Sequence, residues 1–284
     1  MNPDLRIIDN IKHNLENNLL NETVAIDDPV LTDEELDKLI NKYYKLKENK
    51  IKYNIDKKAV DALVKTSCKH VYDNIEIIGL ENLDDINDGA IITGNHYSPV
   101  DTIPIKEFIK KKYNKEPYIV SLASNLALKA PLDYIINHQN LLPIKDSINY
   151  LNEEFKPRLY KLLENKEYVI IYPEQQMWNN YRLPRPCKRG AYQFAAETNK
   201  PIISTFTELV DLGISDDDNF NKLKYIIHIL KPIIPDPNKS VRQNSIDMAD
   251  IDYKQKIACY EEVYNTKLDY TYDISNIAGL KKKD

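Results

Sequence analysis

Residues 91–101 read IITGNHYSPVD. The first three residues are β-branched, as is typical of a buried strand, and Gly94 ends this apolar run. Similar short β-branched runs recur along the chain and alternate with helical patterns. The predicted strands are residues 75–79, 90–93, 118–121, 168–172, 202–207 and 225–230. Strands that alternate with helices predict an α/β layer structure.

Helical patterns separate most of these strands and flank them on both sides. Helices are predicted at residues 57–72, 103–113, 150–164, 191–198 and 245–264. We therefore divide the chain into a helical N-terminal extension (1–72), an α/β domain (73–240) and a C-terminal helix with a polar tail (241–284).

The N-terminal extension begins with an amphipathic helix. One face of this helix carries Ile8, Ile11, Leu15 and Leu19. Asp27-Asp28-Pro29 is expected to break it. Thr32, followed three residues later by Glu35, then predicts a capping box that starts the next helix. The apolar face could lie on a bilayer surface, but its polar side is rich in Asn and carries both charges, which favours docking on the α/β domain.

Composition limits the function classes. The chain has 284 residues, 42% hydrophobic and 29% charged, which is ordinary for a globular protein. A net charge of −5 and a mean hydropathy of −0.53 argue against a nucleic-acid binder and an integral membrane protein. The first residues lack a secretory pattern, so we expect a cytoplasmic protein. Three widely separated cysteines suggest neither a disulfide framework nor a zinc site.

His96 and Asp101 are the leading catalytic candidates. His96 lies in the turn after the predicted strand, and Asp101 falls near the start of the next helix. A carboxylate five residues on can reach back to the imidazole, fix its tautomer and leave the other nitrogen free to accept a proton. An alternative interpretation of the same residues is a capping box beginning at Ser98, with Pro99 at the first helical position.

A second group of residues follows the strand predicted at 168–172. Glu174 stands directly after it, at the rim of the sheet, where ligands bind in α/β folds. Four cations come next, beside Trp178 and Tyr181, and would suit an anionic ligand with an apolar part. They are Arg182, Arg185, Lys188 and Arg189. A solvated basic loop is the alternative interpretation.

Gly190 opens a further helix immediately after these cations. A glycine there permits close backbone approach, and a helix N-terminus beside positive charges can bind an anion. An ordinary glycine turn explains the same pattern.

Together these segments resemble the PlsC-type glycerolipid acyltransferase family, typified by 1-acylglycerol-3-phosphate acyltransferases. The family carries Asn-His, four residues and Asp, matched here from Asn95 to Asp101. Its Phe-Pro-Glu-Gly type motif is matched by Tyr-Pro-Glu at residues 172–174. A Lys-x-Gly-x turn follows at 188–190, and a strand opened by proline follows at Pro201. The resemblance covers roughly residues 75–230.

The resemblance implies a mixed β-sheet flanked by helices and an O-acyltransferase. The acyl donor would be acyl-CoA or acyl-carrier protein, and the acceptor a lysophospholipid or related lipid. His96 would act as general base, Asp101 would orient it, and Glu174 would hold the acceptor. No cofactor, metal or nucleic-acid partner is implied, while peripheral contact with the inner face of the cell membrane is left open.

The sequence departs from the family at two places that concern phosphate binding. Gln175–Trp178 replace the usual Gly and the Arg that follows it, and Arg182, Arg185 or Lys188 could substitute from the following loop. Where the family has a strand ending in a phosphate-binding Arg, this chain offers Lys145, a point charge without bidentate geometry. The acceptor could therefore be another lipid, or a hydroxyl on a glycan or cell-envelope precursor.

Two other functions compete with the acyltransferase. A lipid-binding or scaffold protein of the same fold, without activity, is favoured by the altered residues after Glu174 and opposed by the intact His96 and Asp101. A hydrolase would use water as acceptor, but the sequence contains no serine elbow.

Overall fold

In the computed structural model, which describes residues 2–26 and 29–282, a seven-stranded mixed β-sheet forms the centre of the fold. The spatial order is β1-β7-β6-β2-β5-β3-β4, and only β6 and β7 pair antiparallel. The strands are β1 (Ile75–Ile78), β2 (Ala90–Thr93), β3 (Tyr118–Leu122), β4 (Leu141–Ile144), β5 (Tyr168–Ile170), β6 (Ile202–Ser215) and β7 (Asn221–Ile229). The predicted mixed α/β fold is confirmed.

Helices pack against the sheet, and further helices lie before β1 and after β7 in the sequence. They are α1 (Leu5–Glu16), α2 (Asp33–Glu48), α3 (Lys50–Ser67), α4 (Lys69–Asp73), α5 (Thr102–Tyr113), α6 (Leu132–Asn137), α7 (Ile148–Tyr150), α8 (Lys156–Glu164), α9 (Gly190–Thr198) and α10 (Val241–Val263). A π-helical turn at 151–155 joins α7 to α8. The helix predicted at 150–164 is therefore continuous, but its hydrogen-bond pattern is irregular. Within these described ranges, no helix combines the length and apolar character needed to cross a membrane.

Several predicted boundaries differ from the observed ones for local reasons. The helix predicted at 57–72 starts at Lys50, because the Asn49 side chain caps it, and α4 begins after an interruption at Cys68. β6 continues past its predicted end and β7 starts before its predicted beginning, and together these extensions form an exposed hairpin. Their mixed polar and apolar residues gave no strand pattern in the sequence. The capping box is confirmed: Thr32 N donates to Glu35 Oε2 at 2.8 Å, and Glu35 N donates to Thr32 Oγ1 at 3.3 Å.

The apolar face of α1 docks on the rest of the protein. Ile8, Ile11 and Leu15 are buried in a cluster that includes Trp178, as the docking prediction expected. The inclusion of Leu19 in this face was wrong: α1 ends at Glu16, and Leu19 is 40% exposed. The break predicted at Asp27-Asp28-Pro29 falls mostly on residues 27 and 28, which lie outside the described residues.

The carboxyl ends of β2, β3, β4 and β5 share one edge of the sheet, because these strands are parallel. Residues that follow β2 and β5 are neighbours there, since those two strands pair directly from Ala90–Tyr168 to Ile92–Ile170. This register brings the two sequence motifs to the same place.

Candidate active site

His96 and Asp101 form a hydrogen-bonded pair in the loop between β2 and α5. His96 Nδ1 lies 2.6 Å from Asp101 Oδ2, and the side chains are 21% and 2% exposed. A carboxylate only accepts, so Nδ1 carries the proton and Nε2 of the neutral ring is the acceptor. Within the part of the chain that the structure describes, Nε2 has no hydrogen-bond partner. The pair thus presents a proton acceptor at the carboxyl edge of the sheet.

The alternative capping-box interpretation is met only in part: Ser98 Oγ accepts from Val100 N at 3.3 Å and Asp101 Oδ2 accepts from Ser98 N, but no helix begins at residue 99. The helix begins at Thr102, and the Asp101 side chain caps no helical N–H group. Instead Asp101 Oδ2 accepts from the backbone N–H groups of Tyr97 at 3.2 Å and Ser98 at 3.4 Å. The carboxylate is therefore directed back into the loop that carries His96.

Tyr172 completes the surroundings of Asp101, and the sequence analysis missed this role. Its hydroxyl donates to Asp101 Oδ1 at 2.7 Å, and its ring stacks on His96 with centroids 4.1 Å apart and planes 7° apart. A tyrosine ending an apolar strand suggests packing, so the pattern alone gave no signal. The one available signal was that a tyrosine stands where the related motif has phenylalanine.

Glu174 and Arg185 form a buried ion pair beneath the same loop. Arg185 Nη2 lies 2.9 Å from Glu174 Oε2, and Arg185 N donates to Oε1 at 2.9 Å. His96 N also donates to Glu174 Oε2, at 3.2 Å. Burial lowers the pKa of Arg185, and the charge of Glu174 opposes this. The structure therefore places both side chains among groups of the protein itself, where they tie the His96 loop to the loop after β5.

Two other predicted binding cations are also engaged within the protein. Lys145 Nζ lies 2.8 Å from Asp37 of α2, and its side chain is 5% exposed. Arg182 donates to the carbonyl of Ser275 at 2.8 Å, and its guanidinium lies 5.3 Å from the Tyr264 ring centroid. Lys145 therefore has an acidic partner within the protein, whereas Arg182 has a carbonyl and an aromatic ring.

Lys188, Arg189 and Gly190 are exposed and adjoin the site. Lys188 N donates to Pro173 O at 2.8 Å, which holds this segment against the residues that follow β5. Among the described residues, Lys188 and Arg189 have no acidic partner. The expected close approach at Gly190 is not seen within the protein, because nothing lies within 4 Å of where its Cβ would be.

Trp178 and Tyr181 belong to the core, which corrects the expectation that they would contact a ligand. They are 0% and 2% exposed. Trp178 Nε1 donates to the Glu22 carbonyl at 2.9 Å, and its ring lies 4.5 Å from the Arg185 guanidinium carbon. These aromatic side chains anchor the loop that presents Glu174.

The end of β2 is fixed from both sides by residues that the sequence analysis did not select. The Asn95 side chain exchanges hydrogen bonds with the backbone of Thr207 on β6, at 2.8 and 3.0 Å. Thr93 Oγ1 donates to Asp252 Oδ2 at 2.7 Å, and Asp252 pairs with fully buried Lys256 on α10. An Asp and a Lys four residues apart on a helix are usually a surface pair, so nothing in the pattern indicated this role.

Residues 74–207 match the sequence model of the acyltransferase family. This segment, just under half of the chain, carries an acyltransferase-family domain. The match contains His96, Asp101, Tyr172 and Glu174, and it confirms the predicted enzyme class, an acyltransferase, for this segment. A search of curated proteins found no match. Among solved structures, the chain is similar to the 1-acyl-sn-glycerophosphate (LPA) acyltransferase PlsC from Thermotoga maritima. That match has 13% identity and a TM-score of 0.49, and covers 81% of this chain and 89% of that chain.

Proposed function

We propose that this acyltransferase moves a fatty acyl group from a thioester donor to a hydroxyl of a lysophospholipid or related lipid. The donor is acyl-CoA or acyl-carrier protein. The observation that carries the proposal is the 2.6 Å contact between His96 Nδ1 and Asp101 Oδ2 within the matched domain. This geometry leaves Nε2 free to act as a general base.

The reaction follows from the chemistry of this pair. Nε2 of His96 takes the proton of the acceptor hydroxyl while the hydroxyl oxygen attacks the thioester carbonyl. Asp101 stabilises the imidazolium that forms. When the tetrahedral intermediate collapses, the C–S bond breaks, and the departing thiolate takes the proton from the imidazolium. The products are an ester and a free thiol, and no metal or prosthetic group takes part.

The charges around the site support an anionic substrate. Lys188 and Arg189 are the exposed cations next to Pro173, and a phosphate on the acceptor or donor would be bound there. Glu174 and Arg185 instead hold the two loops in position, because their charged groups are already paired. Since the acceptor is a lipid, the enzyme works as a peripheral protein at the inner face of the cell membrane.

A thiol-release assay tests the proposal. Acyl-CoA and acyl-carrier protein are offered with a panel of lysophospholipids to the wild-type chain, to His96→Ala and to His13→Ala, whose histidine is exposed on α1. We expect acceptor-dependent thiol release by wild type and His13→Ala, and its loss in His96→Ala. Circular dichroism checks that each variant is folded. Turnover retained by His96→Ala would exclude His96 as the base.

A further inference from the structure

We infer that the Tyr172 hydroxyl is a positioning group. Its hydrogen bond holds the Asp101 carboxylate in place and draws negative charge away from Oδ2, and this sets how strongly His96 retains a proton. The inference rests on the proposed function for the roles of His96 and Asp101. It adds a residue that touches neither substrate and acts through the carboxylate.

The two oxygens of Asp101 have different partners. Oδ2 receives His96 Nδ1 at 2.6 Å and the backbone N–H groups of Tyr97 and Ser98 at 3.2 and 3.4 Å. Oδ1 receives the Tyr172 hydroxyl at 2.7 Å and no other donor from the described residues. Because the Asp101 side chain is 2% exposed, water offers little replacement for this donor. Tyr172 is therefore the group that satisfies the second oxygen.

The sheet register fixes Tyr172 in this position. β5 pairs with β2 up to Ile170 and Ile92, and Ile171 N still donates to Ile92 O at 2.9 Å. The next residue, Tyr172, then reaches the loop that follows β2. Its ring covers one face of the imidazole at 4.1 Å. The ring and the hydroxyl thus constrain both members of the catalytic pair.

Tyr172 remains a donor throughout the working pH range. Burial, and after it the charge of Asp101, raises the pKa of Tyr172 well above its ordinary value. The other charged groups around the site are Glu174, which accepts from the His96 backbone, Arg185, which neutralises Glu174, and the exposed Lys188 and Arg189. Since Glu174 and Arg185 are paired with each other and water screens the two exposed cations, Asp101 is the charge that acts most directly on the imidazole.

The hydroxyl has two expected effects on catalysis. As a donor it spreads the negative charge of Asp101 away from Oδ2, so the carboxylate attracts the Nδ1 proton less strongly. The imidazolium that forms during proton transfer is then less stabilised than it would be beside a carboxylate without this donor. The hydroxyl also prevents the carboxylate from rotating about its bond to Cβ, which keeps Nε2 in line with the acceptor.

Tyr172→Phe separates this role from simple packing, because it keeps the stacked ring and removes one oxygen atom. We expect kcat to fall about tenfold, since the carboxylate can then rotate and no longer keeps Nε2 in line with the acceptor, with the acceptor KM unchanged. We also expect the acidic midpoint of the kcat/KM profile to rise by roughly half to one pH unit. Tyr113→Phe is the matched control: that tyrosine also stacks on a ring, with centroids 4.4 Å apart, and its hydroxyl bonds a carbonyl, but at the opposite edge of the sheet. An unchanged midpoint in Tyr172→Phe, or an equal change in Tyr113→Phe, would overturn the inference.

Proton NMR distinguishes a failure of this inference from a failure of the proposed function, because it needs no activity. The wild-type chain is expected to show two exchange-protected downfield proton signals. One comes from the His96 Nδ1 proton and the other from the Tyr172 hydroxyl proton, and both protons are hydrogen-bonded to Asp101. His96→Ala should remove one and keep the other, whereas Tyr172→Phe should remove the second. If Tyr172→Phe does not fold, His96→Ala still decides the question, because the absence of any surviving signal would overturn the inference.

Discussion

Nη2 of Arg185 lies 2.9 Å from Oε2 of Glu174, and the two side chains are 1% and 2% exposed. Removing two charges from water is costly, so such a pair stabilises the fold only while both partners are present. Glu174 also accepts from the backbone of His96, at 3.2 Å. The pair therefore links the loop after β5 to the loop that carries His96, and its loss should first lower the stability of the fold and shift the geometry of these loops.

Arg185→Met is expected to lower the free energy of unfolding by about 3–5 kcal/mol, because it leaves the Glu174 carboxylate buried without its counter-charge. Urea denaturation measures the change. Arg189→Met is the matched control, since Arg189 is exposed and has no acidic partner among the described residues, and it should shift stability by less than about 0.5 kcal/mol. If Arg185→Met were as stable as wild type and raised only the acceptor KM, Arg185 would be an acceptor ligand after all.

Lys188→Ala is expected to raise the KM of the phosphate-bearing substrate roughly fivefold to tenfold, because one charge-assisted contact is lost. The kcat should change little, since Lys188 touches neither His96 nor Asp101. Steady-state kinetics with donor and acceptor varied in turn show which substrate the lysine contacts. Lys65→Ala, an exposed lysine on α3, serves as control. Equal KM values in both variants would mean that the loop of Lys188 is merely solvated.

The sequence was sufficient for features that depend on near neighbours. The His96–Asp101 pair is separated by five residues, so one loop geometry determines it, and alternating strands and helices determined the fold class. Lys145 illustrates what could not be predicted. Its partner Asp37 lies more than a hundred residues away on α2, and only the packing of α2 at the β4 edge brings them within 2.8 Å. Similarly, the Tyr172 hydroxyl meets Asp101 because of strand register, which no local pattern reports.

Lys47 should make stability depend on pH in the alkaline range. Its ammonium lies 4.5 Å from the Tyr43 ring centroid, and burial, reinforced by the charge of Lys57, lowers the pKa of Lys47 from 10.5 to about 8. Between pH 8 and 10.5 the unfolded chain binds more protons at this site, so its contribution to stability increases with pH and is lost as pH falls through 8. Urea denaturation measures the free energy of unfolding of wild type and of Lys47→Met. From pH 8 to 9.5 the value for wild type should rise on the order of 1 kcal/mol more than the value for the variant. If the difference in the free energy of unfolding between wild type and Lys47→Met did not vary with pH, the lowered pKa of Lys47 would be contradicted.

The docking of α1 connects the N-terminal extension to the residues that support the His96 loop. Ile11 is fully buried in the cluster around Trp178, whose Nε1 donates to Glu22 O at 2.9 Å. Asn21 Nδ2 donates to the carbonyl of Glu174 itself, at 3.3 Å. The segment after α1 thus supports the residue that holds the His96 loop.

Ile11→Ala is expected to lower the free energy of unfolding by about 2–5 kcal/mol, because it removes buried methyl groups and leaves a cavity. Leu19→Ala is the matched control from the same predicted apolar face. Leu19 is 40% exposed beyond the end of α1, so its loss should cost less than about 0.5 kcal/mol. Urea denaturation of both variants measures the difference. Equal small effects would mean that α1 contributes nothing to the folded core, and its apolar face would then be free to lie on a bilayer instead.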